Sequence, residues 1–218
     1  MRLTGEQDVL NIIGQSVRVG SSSTVNDVLP IATTKIEKHI GTSLARAHRI
    51  DYFGCVRNIG GLGYTAKALL NLTQGYIDEA ETFAVYYSLD GTAITDVAGD
   101  NAELIDPEYY VLDATKGRLT LFGTYAIPAD PFRVIAVEYT AGFDVDAHGI
   151  AQKVPDELAQ AAAMVAANSM RNLSPTQNKQ VQWLNTMSTF RREVTAILSP
   201  LIRQNLAGDD PQLSTVVP

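Results

Sequence analysis

Apolar positions along the chain change their spacing twice, from helical to alternating and back to helical. Between Glu6 and Val17 the residues Val9, Leu10, Ile13 and Val17 recur at helical intervals, with Thr4 or Gly5 placed to cap them. Gly20-Ser-Ser-Ser23 reads as a flexible break. A second helix puts Val25, Val28, Leu29, Ala32, Ile36 and Ile40 on one stripe, with Lys35, Glu37 and Lys38 facing away. Asn26 or Asp27 is placed to cap it, Pro30 suits an early turn, and Gly41 suits the stop.

From Ser43 to Phe143 the texture is β. Phe83, Val85, Tyr87 and Leu89 alternate with Ala84, Tyr86 and Ser88, and Asp90-Gly91 predicts a hairpin turn into 93–97. A second hairpin joins 109–112 to 118–122, with Gly117 suited to a left-handed turn position. The run 132–139 is apolar on both faces and reads as a central strand. Asn58 to Gly63 and Asp96 to Pro107 read as loops.

Helical spacing returns at Pro155, which suits a first helical position, followed by Asp156 and Glu157 in the turn where the helix dipole favours acids. The body of this helix is rich in alanine at 159, 161, 162, 163, 166 and 167, so other backbones can approach it closely; Ser174-Pro175 ends it. A last helix starts near Asn178 and carries Val181, Leu184, Met187, Phe190 or Arg191, Val194, Ile197 or Leu198, and Leu201, until Pro200 kinks or ends it. From Gly208 onward the polar, proline-bounded chain reads as a tail ordered only against a partner. The order helices, strands, helices predicts an α+β fold, a helical bundle with an inserted antiparallel β-sheet subdomain. As one domain over 1–218 it has helices within 5–42 and 154–206, the β insertion at 43–143 and a flexible tail at 207–218.

Composition narrows the function. The chain carries 24 acidic against 17 basic side chains, a net charge of −7. Arg191-Arg192 is the only adjacent basic pair, whereas a protein gripping ~6–10 phosphates needs a clustered basic surface. Such a balance suits a surface that lets nucleic acid pass. No apolar run approaches the ~18–20 residues that span a bilayer, and Glu6 and Asp8 interrupt any signal-peptide core. The reading is a cytoplasmic protein without a membrane partner.

Candidate chemistry is sparse. The single cysteine, Cys55, excludes an intrachain disulfide and a cysteine-cluster zinc site, and its pairing with His48 matches no catalytic motif. His39, His48 and His148 show no metal-ligand spacing, and Asp144-Val-Asp146-Ala-His148 lacks the glycine and glutamate of a calcium loop. Asn58-Ile-Gly-Gly-Leu-Gly63 lacks the Gly-Lys-Ser/Thr ending of a phosphate cradle. Tyr76, Tyr86, Tyr87, Tyr109 and Tyr110 sit among Asp78, Glu79, Glu81 and Glu108, so sheet packing or a subunit interface explains them better than base stacking. No catalytic, cofactor or metal site is expected.

Four pieces in order resemble the larger head–tail connector (adaptor) proteins of tailed bacteriophages. They are Ala32-Thr-Thr-Lys-Ile-Glu37 with Gly41, the hairpin Tyr110 to Leu121, the strand Val134-Ile-Ala-Val-Glu-Tyr-Thr-Ala-Gly142, and the helix start Val154-Pro-Asp-Glu-Leu-Ala159. The resemblance runs over about 24–206, leaving out the first helix. It implies a structural subunit of the virion neck, assembled in the host cytoplasm, in a ring of about a dozen copies closed by a heterologous interface. It also implies docking to the portal protein, contact with tail or tail-completion proteins, and DNA only as passing cargo. On that basis Asp209, Asp210, Pro211, Gln212, Leu213, Val216 and Val217 are candidate portal- or neighbour-binding residues. Ala159, Ala163, Ala166, Arg191 and Arg192 are candidates for subunit packing. The alternatives are a tail-completion or terminator protein, and a small enzyme with its site near His48 and Cys55.

Overall fold

The computed structural model describes residues 1–13, 22–54, 58–60, 67–99, 101–123, 134–172, 191–201 and 213–217. The fold is α+β. Two compact units divide the chain, Met1–Gly41 with Phe143–Ile202, and Thr42–Gly142 with Arg203–Pro218.

The first unit is helical. Helix α1 (Glu6–Ile13) starts where Asp8 accepts from Thr4 Oγ1 (2.7 Å) and from the Gly5 N–H (3.2 Å). Helix α2 (Ser22–Ile40) buries the predicted stripe of Val25, Val28, Leu29, Ala32, Ile36 and Ile40. It begins before the expected caps Asn26 and Asp27, and Pro30 lies inside it. The buried stripe on both sides of the proline, Val25, Val28 and Leu29 before it and Ala32, Ile36 and Ile40 after it, offsets the local cost of an interior proline, about 3 kcal/mol. Helix α3 (Asp156–Asn172) follows Pro155 and packs on α1 and α2. Its Ala163, Ala166 and Ala167 share one core with Val9, Val25, Val28, Leu29 and Ala32.

The last helix is described from 191, runs to 198, and passes at Pro200 into a 3-10 turn, Ser199–Leu201. The Ser174-Pro175 stop and the start near Asn178 lie outside the described residues.

The second unit holds two antiparallel sheets. Strands are β1 (Ala47–Phe53), β2 (Asn58–Gly60), β3 (Lys67–Asn71), β4 (Phe83–Ser88), β5 (Ala102–Leu104), β6 (Tyr110–Asp113), β7 (Arg118–Phe122), β8 (Ile135–Ala141) and β9 (Leu213–Val217). One sheet has the order β5-β4-β8-β1-β9 and the other β2-β3-β7-β6. Phe53, Ala68, Leu70, Val85, Leu119, Leu121, Ile135, Val137 and Tyr139 form their shared core.

The apolar run expected to be central is β8, third of five strands. The expected β6–β7 hairpin forms in register, with Tyr110 opposite Leu121 and Asp113 opposite Arg118, and Gly117 at φ 62°.

Four expectations need correction. The strand that pairs with β4 on the side away from β8 is β5, not 93–97: Asp90 accepts from Thr92 N and Oγ1 in a local turn, and Ile94 is buried with Tyr52 and Ala136. Burial of Ile94 thus displaces the hairpin the Asp-Gly pair suggested, and strand β5 falls within the expected loop 96–107. Asn58–Gly60, also expected as loop, is strand β2. The tail is the fourth. Residues 213–217 are strand β9, which pairs with β1 from His48↔Val217 to Tyr52↔Leu213. The free backbone edge of β1 supplies the partner that the polar composition concealed.

Candidate functional site

The densest polar construction joins the segment 72–78 to β1, β8 and the β6–β7 turn. Asp51 on β1 is fully buried. Its Oδ2 accepts from the Thr73 N–H (2.5 Å) and the Tyr139 hydroxyl (2.8 Å), and its Oδ1 from Thr73 Oγ1 (2.9 Å). The Tyr139 oxygen in turn accepts from the Gln74 N–H at 3.2 Å. Gln74 Oε1 accepts from Thr42 Oγ1 (2.9 Å) and Ser43 N (2.8 Å), while the Gly75 N–H donates to Thr42 Oγ1 (3.0 Å).

Backbone bonds complete the junction. Leu72, Tyr76 and Ile77 N–H groups donate to Gly117, Thr115 and Ala114, and the Gly142 N–H donates to Tyr76. Sequence spacing could not reveal this hub, because Thr73 and Tyr139 stand 22 and 88 residues from Asp51.

Burial first, then the neighbouring Asp51 carboxylate, pushes the Tyr139 hydroxyl far above the ordinary tyrosine range. The folded state therefore holds this proton at pH values where the unfolded chain, with tyrosine near 10, releases it. The resulting stabilisation is complete below about pH 10 and is lost as pH rises above it. Chemical denaturation of Tyr139→Phe beside the parent at pH 8 and pH 11 should show the parent's advantage shrinking at the higher pH. An advantage constant across that range would refute the assignment.

The second cluster lies on the opposite side of β1 and β8. His48 Nε2 stands 3.1 Å from Glu138 Oε1, an ion pair when the imidazole is protonated rather than a directed hydrogen bond. Tyr86 donates its hydroxyl to Glu138 Oε2 at 3.1 Å. Desolvation, helped by Glu138, raises the Tyr86 hydroxyl above its usual range. His48 is thus paired with an acid that sequence reasoning did not single out. Cys55, its proposed nucleophile partner, lies outside the described residues.

The remaining sequence candidates fall elsewhere. Asp146 Oδ1 accepts from the backbone N–H groups of His148 (2.8 Å) and Ile150 (2.9 Å), so it closes its own turn. Those backbone donors, Ile150 first, hold its carboxyl below the usual range. Among the described residues no group of three or more His, Cys, Asp or Glu side chains is placed to hold a metal.

Of the packing candidates, Ala163 and Ala166 are buried in the helical core of their own chain. Helices α1 and α2 pack on the α3 face that carries them. Ala159 is half-buried, and Arg191 and Arg192 are exposed. Asp209, Asp210, Pro211 and Gln212 lie outside the described residues; Leu213, Val216 and Val217 belong to β9, where Val216 is 56% exposed.

No protein-family model matches the sequence, and no curated protein matches it. Solved structures do match along nearly the whole chain. A chain from the neck of an empty gene transfer agent (GTA) particle, computed with C6 symmetry, is 17% identical with a TM-score of 0.48, covering 97% of this chain and 98% of that one. A chain of the virion of a native gene transfer agent particle is 15% identical with a TM-score of 0.44, covering 94% and 95%. A chain from the neck of the native particle, computed with C12 symmetry, is 16% identical with a TM-score of 0.41, covering 97% and 98%.

Proposed function

We propose that this chain is a structural, non-catalytic subunit of a head–tail connector in the neck of a virion, where copies form a ring beneath the portal and around the DNA passage. The observation that carries the reading is the ordered set of connector-like sequence pieces. Those pieces coincide with framework elements: Ala32 to Glu37 on α2, Tyr110 to Leu121 on β6–β7, Val134 to Gly142 on β8, and Val154 to Ala159 at the start of α3. The acidic balance agrees with a conduit that must release DNA.

Electron microscopy of the purified protein, alone and mixed with portal, tests the proposal. Rings with an open channel of DNA width, docked on portal, are expected. A monomer that ignores portal overturns it, and binding to the end of a tail tube instead favours a tail-terminator role.

The portal contact is assigned to the segment before β9. Asp209→Asn with Asp210→Asn should weaken portal binding several-fold, with the denaturation midpoint of each variant measured alongside to separate binding from stability. Portal affinity equal to the parent's removes these residues from the contact. Deleting the whole tail is a poorer test, since it also strips β9 from β1.

A further inference from the structure

Strand β9 completes a sheet in the second unit, yet the chain that precedes it, as far as Ile202, belongs to the first. Its substantial contact among the described elements is with β1. It is short and lies at the sheet's edge, with Thr215 and Val216 exposed. The demand for it comes from β1. Asp51 and Tyr52 are buried on that strand, and without β9 the backbone edge from His48 to Tyr52 would present unpaired N–H and C=O groups.

That pairing does not depend on which copy supplies the strand. The same five register pairs form in cis or in trans with the same hydrogen bonds. Residues 202–212, fully extended, can reach roughly 36–40 Å. In a closed ring the neighbour's β1 edge stands at an effective concentration of order millimolar, so exchange meets little entropic penalty. Every copy then gives one strand and receives one, so no β1 edge is left uncovered.

Resting on the ring reading above, we propose that β9 is exchanged in the assembled protein: Leu213–Val217 of each copy adds to β1 of the next. The tail is then a clasp between neighbours, a role separate from portal docking.

Cysteine pairing at register positions tests this. In a Cys55→Ala background, which removes the only native cysteine, one copy carries His48→Cys and a second, differently tagged, carries Val217→Cys. Opposed residues on antiparallel strands lie about 4.5–5.5 Å apart at Cα, within disulfide range. Co-expression and oxidation should yield a disulfide between the two tags, at roughly a quarter of ring junctions for random mixing. A chain carrying both cysteines reports the pairing itself, and Ile50→Cys with Thr215→Cys repeats the test at a second register pair.

If the doubly substituted chain closes an internal disulfide while the mixture gives none, exchange is overturned and the ring stands on its own test. Cross-linked products of the doubly substituted chain that never exceed two copies support exchange and sink the ring, whereas a ladder of longer species supports both. Absence of both the ring and the mixed disulfide overturns both.

Discussion

Replacing Asp51 with alanine should destabilise the protein by about 3–5 kcal/mol, a large part of the 5–15 kcal/mol that usually holds a domain together. The cause is what the substitution leaves behind. Three donors aim at this carboxylate: the Thr73 N–H, the Thr73 hydroxyl and the Tyr139 hydroxyl. Tyr139 is fully buried, so its hydroxyl has no ready route to water, and each buried donor left unsatisfied costs about 1–3 kcal/mol.

The order of variants is diagnostic. Asp51→Asn keeps one acceptor oxygen and should lose about 1–3 kcal/mol, while Tyr139→Phe removes one donor and the acceptor for Gln74 N and should lose a similar amount. Urea denaturation of the full chain measures all three. A loss below 1 kcal/mol for Asp51→Ala, or additive losses when it is combined with Tyr139→Phe, would show that the hub does not act as a unit.

Sequence made some of this architecture legible and hid the rest for identifiable reasons. Helices α2 and α3 were readable because their apolar stripes meet each other in one core. The β6–β7 hairpin was readable because the turn needs a left-handed residue and Gly117 supplies it. Strand β1 was not, because Ala-His-Arg-Ile-Asp-Tyr-Phe sets charged residues among its apolar positions. Those charged residues make sense only once Asp51 meets Thr73 and Tyr139, and His48 meets Glu138.

Strand β9 was hidden for the opposite reason. Leu-Ser-Thr-Val-Val carries β propensity, but its short length within a polar tail gives no local sign of the partner waiting at β1. The Asp90-Gly91 signal misled because local turn chemistry is indifferent to the residues beyond the turn. Here Ile94 comes next, and its burial against Tyr52 and Ala136 delays the pairing strand until Ala102.

Gly142→Ala should lose about 3–4 kcal/mol, because it adds close backbone overlap to the ~1–2 kcal/mol of left-handed strain. Gly142 ends β8 at φ 92°, and a Cβ there would sit 2.5 Å from the Ala45 carbonyl oxygen and 2.8 Å from the Arg46 nitrogen. Both are backbone atoms leading into β1, whose Ala47 pairs with Ala141, so neither can move without opening the β1–β8 ladder. The Gly142 N–H also holds the Tyr76 carbonyl at 2.9 Å, so the displacement would reach the segment carrying Thr73 and Gln74.

Gly91→Ala is the internal control. Its φ of 74° imposes similar strain, but a Cβ there meets nothing within 4 Å. It should lose only the strain, about 1–2 kcal/mol. The difference between the two losses, measured by denaturant unfolding, isolates the close approach at Gly142. Equal losses would mean that the Ala-Gly ending of β8 needs its glycine for backbone freedom alone. A clearly larger loss at Gly142 ties that ending, part of the connector-like sequence pattern, to the tight return of the chain beside β1.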